Sequence, residues 1–131
     1  MSSKKLKNIE KWLNSFIRNK IKTFVVSCKT VRDQSFLPYS SRNINLNNND
    51  KIIASKVFKL VRKEKKFIKK KRIKKINLFE LKRKINDLGI KKIDYLDPIN
   101  LINLKKAKKY NENFNIFSAF YVGNVRLIDN F

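Results

Sequence analysis

Apolar residues recur at spacings of three and four over the first part of the chain, from Lys4 to Ile21. This spacing predicts an amphipathic helix, because residues three and four apart share one helix face. The β-branched and aromatic run TFVVSC at 23–28 then predicts a buried strand. A helix followed by a strand is typical of an α/β layer, so we expect the other strands of that layer to come from outside this chain.

Two further helices are predicted downstream. Polar residues at 47–50 offer N-caps, and an apolar stripe follows them to about Glu64. A third helix is predicted to begin at Asn77, which forms a capping-box pattern with Glu80. Gly89 is expected to end that helix, because glycine accepts the left-handed conformation that often follows a helix.

The rest of the chain indicates strands. A short strand is predicted over 92–97, and the alternation in NFNIFSAFYV predicts a central strand with two largely apolar faces. Gly123 and Asn124 then form a two-residue hairpin loop into VRLID. The predicted fold is therefore α+β: helices packed on a small, mostly antiparallel sheet, preceded by the helix and strand of residues 1–28.

The composition is that of one globular domain. The chain has 131 residues, of which 42% are hydrophobic and 33% charged, and no apolar run approaches the ~20 residues that cross a bilayer. Its N-terminus lacks the pattern of a signal peptide, so we expect a soluble cytoplasmic protein without a membrane partner. With no His and a single Cys, no His/Cys metal cluster is predicted. Cys28 is expected to be a small buried strand residue rather than a catalytic thiol.

The net charge of +23 raises the question of a polyanionic partner. The chain is rich in Lys, Asn and Ile throughout, which is typical of coding bias, whereas a binding footprint would concentrate the charge. One cluster does stand out, RKEKKFIKKKRIKK at 62–75. It is either a polyanion site or, as we favour, the solvated end of a helix and the following loop.

The stretch FLPYSSRN at 36–43 differs from its surroundings. Ser40, Ser41 and Arg42 place two hydroxyls and a guanidinium before a helix, which are groups that bind phosphate. The alternative is a turn with an N-cap, because Ser-Ser-Arg also occurs by chance.

The neighbouring residues support the phosphate interpretation. The segment CKTVRDQSFLPYSSRNINL at 28–46 resembles a segment of the pantoate–beta-alanine ligase family that reads approximately Cys-Pro-Thr-Val-Arg-Glu, then Gly-Leu-Ala-Met-Ser-Ser-Arg-Asn. The C-terminal GNVRLIDN at 123–130 is similar to the family's Gly-Lys-Thr-Arg-Leu-Ile-Asp-Asn, and DYLD at 94–97 to its Asp-Tyr-Leu strand. Because three segments match in the same order as in the family, the resemblance is specific to that family.

This resemblance implies the C-terminal portion of an ATP-dependent ligase. The family has an N-terminal Rossmann-like domain with a His-x-Gly-His motif, which a chain without His does not contain. Residues 1–28 would be the last helix and strand of that nucleotide-binding domain, and 29–131 the C-terminal lid domain. We therefore expect the chain to be inactive without an N-terminal half. A split gene with a complementary N-terminal polypeptide, a truncated reading frame and a decayed copy are the alternatives that the sequence leaves open.

The resemblance also implies roles for individual residues. Val31 would line the adenine, while Tyr39, Ser40, Ser41 and Arg42 would form a loop over the ATP phosphates, with Arg42 stabilising the transition state. ATP is the implied substrate, with Mg²⁺ expected, and pantoate and beta-alanine would bind only with the N-terminal half. The reaction would join pantoate to beta-alanine through pantoyl adenylate.

Some positions depart from the family pattern or invite other assignments. Phe36 and Pro38 replace Gly and Ala, and Tyr39 replaces Met or Leu, so a flexible loop residue is lost and a stiff one gained. Arg126 and Asp129 are interpreted as structural contacts of a small sheet rather than as site residues. The alternative function is that of a small, basic protein that binds nucleic acid without sequence specificity.

Overall fold

The computed structural model describes residues 29–131. The helix and strand predicted over residues 1–28, including Cys28, lie outside these described residues. The described part begins with a loop and contains the following elements: a 3-10 helix at Ser41–Asn45, α1 at Asn48–Lys70, α2 at Phe79–Asp87, β1 at Lys92–Asn100, β2 at Phe114–Val122 and β3 at Val125–Asn130.

Helix α1 begins where its polar N-terminus predicted. Asn47 is the N-cap, and its Oδ1 accepts a hydrogen bond from the Asp50 amide at 2.8 Å. The predicted end at Glu64 is wrong, because the helix continues to Lys70. Ile68 explains the extension, since it lies on the same buried face as Val61 and adds another apolar anchor. Much of the basic cluster at 62–75 therefore lies on the last turns of α1, and the rest on the turn that follows.

Helix α2 has only half of its predicted capping box. The Asn77 Oδ1 accepts from the Phe79 amide at 2.9 Å, but the Glu80 side chain pairs with Arg83 at 2.8 Å instead of reaching back. Gly89 adopts a φ of 95° just beyond the helix, which confirms its predicted role in ending it.

The sheet has the order β1-β2-β3, and both strand pairs are antiparallel. Strand β2 is central and buried on both faces, as its sequence predicted. Val122 pairs with Val125, so Gly123 and Asn124 form the expected two-residue loop. Strand β1 extends past the predicted 97 to Asn100 through Pro98, which an edge strand tolerates because one side of it needs no ladder hydrogen bonds.

The core lies between the two helices and the sheet. Helix α1 packs against β2, where the rings of Phe58 and Phe120 are tilted with centroids 5.2 Å apart. Leu81 and Ile85 of α2 complete the same apolar cluster. The predicted α+β fold, with helices packed on a small antiparallel sheet, is therefore confirmed for the described residues.

Arg126 and Asp129 both make structural ion pairs, but not with each other. Arg126 on β3 pairs with Asp94 on β1 at 2.6 Å, and both side chains are partly exposed, at 36% and 25%. Asp129 is buried and pairs with Arg32 at 2.6 Å, with side-chain exposures of 2% and 14%. The second pair therefore joins the last strand to the loop that carries the candidate site residues.

Burial makes the two ion pairs unequal contributors to stability. We expect Asp129→Asn to lower the free energy of unfolding by about 3 kcal/mol or more, because it leaves the largely buried Arg32 guanidinium, whose side chain is 14% exposed, without its counter-charge. Asp94→Asn, the matched control on a more exposed pair, should cost below about 1 kcal/mol. Urea unfolding of the 131-residue chain, followed by circular dichroism, measures both values. Equal losses for the two variants would contradict the anchoring role of Asp129.

Candidate functional site

The loop before α1 folds back on itself through main-chain contacts. Arg32 and Pro38 form an isolated antiparallel bridge, and the Tyr39 amide donates to the Val31 carbonyl at 3.1 Å. Val31 and Tyr39, two of the predicted site residues, are therefore neighbours across the loop. The two residues are 70% and 71% exposed, respectively.

Asp33 stabilises the turn at the end of this loop. Its Oδ1 accepts from the Ser35 hydroxyl at 2.7 Å and from the Leu37 amide at 2.9 Å. Burial acts to raise the pKa of Asp33, but these hydrogen bonds outweigh it, so the pKa lies below its ordinary value. The turn also holds Leu37 in the core, where it is 1% exposed.

Phe36 occupies the position at which the resembling family segment has Gly, and its φ of 76° lies in the left-handed region. A side chain there costs roughly 1–2 kcal/mol. The ring offsets this cost by stacking on Phe131, with centroids 5.8 Å apart and planes at 20°. The guanidinium groups of Arg32 and Arg62 lie 4.6 Å and 4.8 Å from its centroid. The backbone conformation of the loop thus persists without glycine.

The Ser-Ser-Arg-Asn stretch forms the start of the 3-10 helix. Ser40 is its N-cap, and the Ser40 Oγ accepts from the Arg42 amide at 3.2 Å. Asn43 joins the helix to the loop, because its Nδ2 donates to the Pro38 carbonyl at 2.9 Å and its amide to the Ser40 carbonyl at 3.1 Å. The turn-and-N-cap interpretation is therefore correct for Ser40, and it leaves the Ser40 hydroxyl hydrogen available for a ligand.

The predicted phosphate-binding groups are open to solvent. Ser40, Ser41 and Arg42 are all exposed, and within residues 29–131 the Arg42 guanidinium makes no hydrogen bond or ion pair. The turn that presents them is held by its main chain and by Asn43. A fixed turn with two hydroxyls and an available guanidinium can bind an anionic oxygen with charge-assisted hydrogen bonds.

Two residues that position this loop were not identified as such from the sequence. Arg32 donates to Asp129 at 2.6 Å and to the Phe36 carbonyl at 3.3 Å, so it joins both ends of the described chain. Asn43 was noted only as part of a matching motif, although it fixes the turn. The sequence did offer one indication, because both residues lie in the segment at 28–46 that resembles the ligase family. The spacing of residues along the chain could not show that Asp129 is the partner of Arg32.

The family model of pantoate-beta-alanine ligase matches residues 7–131. The chain belongs to the pantoate–beta-alanine ligase family. The pantothenate synthetases of Francisella tularensis subspecies mediasiatica and novicida are each 39% identical to it over 111 residues. Those matches cover 85% of this chain and 34% of either relative, so the chain spans about a third of the length of these curated relatives.

Solved ligase structures have the same fold. A Francisella tularensis pantoate-beta-alanine ligase, crystallised with beta-gamma ATP and beta-alanine, superposes with a TM-score of 0.65 at 34% identity, covering 97% of this chain and 40% of that one. The pantothenate synthetase of Thermus thermophilus gives a TM-score of 0.70 at 20% identity, over 88% of this chain and 42% of that one. At 20% identity, the similarity to the Thermus structure shows the fold alone.

Two further observations bear on the site and its surroundings. Residues 29–131 contain no group of three or more His, Cys, Asp or Glu side chains placed to hold a metal ion. Within the same residues, no helix has the length and apolar character needed to span a membrane.

The positive φ of Phe36 is expected to reverse the usual stability order of an alanine and a glycine substitution. Phe36→Ala and Phe36→Gly both remove the ring, but only glycine relieves the positive φ, so we expect the Gly variant to be more stable by about 1 kcal/mol. At the exposed loop residue Gln34, whose φ is not positive, Ala should be more stable than Gly. Urea unfolding of the four variants measures both differences. A more stable Ala variant at Phe36 would rule out the strained conformation.

Proposed function

We propose that this chain is the C-terminal portion of a pantoate–beta-alanine ligase and that its Ser-Ser-Arg turn covers the phosphates of ATP. One observation carries the proposal: the turn presents Ser40, Ser41 and Arg42 to solvent from a fixed backbone, in a chain that belongs to this family. The Francisella relative crystallised with beta-gamma ATP and beta-alanine supports a nucleotide and an amine as ligands.

The proposed chemistry matches these groups. The carboxylate of pantoate attacks the α-phosphorus of ATP, which forms pantoyl adenylate and releases pyrophosphate. The amine of beta-alanine then attacks the acyl carbon, AMP leaves, and pantothenate forms. Negative charge redistributes over the phosphate oxygens during the first step, so Arg42 and the two hydroxyls stabilise it by electrostatics rather than by covalent catalysis.

Each predicted ATP-binding residue has a separate part in this proposal. Arg42 interacts with the phosphates as a cation, and Ser41 donates from its exposed hydroxyl. Ser40 can donate while its oxygen continues to accept from the Arg42 amide. Val31 and Tyr39 lie side by side, with Val31 next to the adenine and Tyr39 at the start of the turn.

The remaining components come from outside the described residues. We propose that residues 1–28 are the last helix and strand of the nucleotide-binding domain and that 29–131 form the lid domain. Pantoate and beta-alanine then require the N-terminal half of the ligase, whichever polypeptide carries it, and the assembled enzyme acts in the cytoplasm. The turn offers hydroxyls and a guanidinium but no carboxylate, so the Mg²⁺ that the family resemblance implies would be held by the ATP phosphates and by groups outside the turn.

The alternative of a small nucleic-acid-binding protein rests on the net charge and on the basic cluster at 62–75, without a recognised binding motif. Charge by itself accounts for non-specific, salt-sensitive association with polyanions. No contact among residues 29–131 favours a specific nucleic acid, whereas the family match covers most of the chain.

The isolated chain should not make pantothenate, because it lacks the half that holds pantoate and much of the nucleotide. Purified chain is incubated with ATP, pantoate and beta-alanine, and pantothenate is quantified by mass spectrometry, with an intact family ligase as the positive control. Turnover comparable to that of the intact ligase would contradict the division of the enzyme into two halves.

Mixing the chain with the complementary N-terminal half should restore pyrophosphate release, and Arg42→Ala should lower the restored rate roughly 100-fold or more, as removal of a transition-state donor does. Assembly should be unaffected, because Arg42 is exposed and on a turn. Ser41→Ala should cost less, since it removes a neutral donor.

Arg83→Ala is the matched control, because Arg83 is also an exposed arginine and lies on α2. Its restored rate should equal that of the unmodified chain. A full rate for Arg42→Ala, with assembly verified by gel filtration, would exclude the phosphate role of the turn.

A further inference from the structure

A cleft of about 640 Å³ lies beside the loop, where α1 meets the ends of β2 and β3. Its lining includes four cationic side chains and two amides: Lys29, Arg32, Arg62, Lys65, Asn115 and Asn130. None of Val31, Tyr39, Ser40, Ser41 or Arg42 lines it, so the proposed function makes no use of this cleft.

The charge of the cleft is not balanced by the described residues. No Asp or Glu lines it, and the Arg32 guanidinium is neutralised by Asp129. Within residues 29–131, Arg62 and Lys65 make no ion pair, since the four pairs there involve other residues. Neither Arg62 nor Lys65 thus has an Asp or Glu partner among residues 29–131, and Lys29 adds a third cation to the lining.

Lys65 is the least solvated of these unbalanced cations. Its Nζ donates to the Asn115 Oδ1 at 2.6 Å, and the Asn115 Nδ2 donates to the Asn130 Oδ1 at 3.0 Å. Burial, and then the positive charge of Lys69, lower the pKa of Lys65 below its ordinary value. An ammonium that loses hydration next to another cation gains free energy when an anion binds to it.

We propose that this cleft binds a phosphoryl group, with Arg62 and Lys65 as its cationic ligands and the Asn115–Asn130 amide pair orienting Lys65. Phosphate carries a charge of about −1.5 to −2 near neutral pH, which matches two unbalanced cations better than a single carboxylate does. Free inorganic phosphate and the phosphoryl end of a nucleotide share this chemistry.

Binding there would also act on the loop. The Arg62 guanidinium lies 4.8 Å from the Phe36 ring, and Arg32 contacts both Phe36 and Phe131 at the edge of the cleft. A phosphoryl group bound to Arg62 would fix α1 relative to Phe36, the residue that maintains the strained loop backbone.

Isothermal titration of the 131-residue chain at physiological salt tests the proposal, with inorganic phosphate in one arm and AMP in the other. Lys65→Gln and Arg62→Gln should each weaken phosphate binding roughly 10-fold or more, which is the usual value of a charge-assisted hydrogen bond. Lys63→Gln is the matched control: it removes one charge from an exposed position of α1 that does not line the cleft, and should change the affinity less than about twofold.

The outcomes distinguish phosphate binding in the cleft from non-specific attraction of an anion to a protein of net charge +23. Tighter binding of AMP than of phosphate, lost in Lys65→Gln and retained in Arg42→Ala, would identify a nucleotide as the source of the phosphoryl group in the cleft, and equal or weaker binding would identify free phosphate. Asn115→Asp, which places a carboxylate beside Lys65, should abolish binding and serves as a second variant if Lys65→Gln does not fold. Equal affinities for the Lys65→Gln and Lys63→Gln variants, or no binding at all, would overturn the proposal.

Discussion

The ion pair between Arg32 and Asp129 is the contact on which the candidate site depends. It joins residues 97 positions apart, and Asp129 is almost fully buried. A buried carboxylate is costly to desolvate unless a cation is fixed beside it, so the pair constrains where the loop can lie relative to β3. Two of the three motifs that resemble the ligase family are therefore parts of one contact: the segment at 28–46 supplies the guanidinium and the segment at 123–130 the carboxylate.

The sheet connects the Arg32–Asp129 ion pair to the rest of the described residues. Strand β3 is held in register by β2, and β2 packs on α1 through the aromatic contact of Phe58 with Phe120. The 3-10 helix that carries Ser41 and Arg42 contacts β3 and leads directly into α1. The exposed turn is thus connected to the core at both of its ends, although its own functional side chains contribute nothing to that core.

Hydrophobic periodicity predicted the elements whose pattern of buried and exposed residues can be recognised from a few consecutive residues. The alternation in β2 and the Gly123–Asn124 loop were sufficient for a central strand and its hairpin. The end of α1 was missed because Ile68 follows a run of lysines that obscured the stripe. The exposure of Ser40 and Arg42 could be anticipated from their residue types, but the anchoring contact could not, because no local pattern encodes a pairing between distant residues.

The strained backbone at Phe36 makes the conformation of the loop depend on groups that the loop does not contain. Its left-handed conformation costs roughly 1–2 kcal/mol, whereas each guanidinium contact to its ring contributes about 0.5–1 kcal/mol. Arg62 of α1 supplies one of these contacts, and the ring of Phe131 stacks on the Phe36 ring. A substitution at Arg62 or Phe131 therefore weakens a turn that is remote from both residues along the sequence.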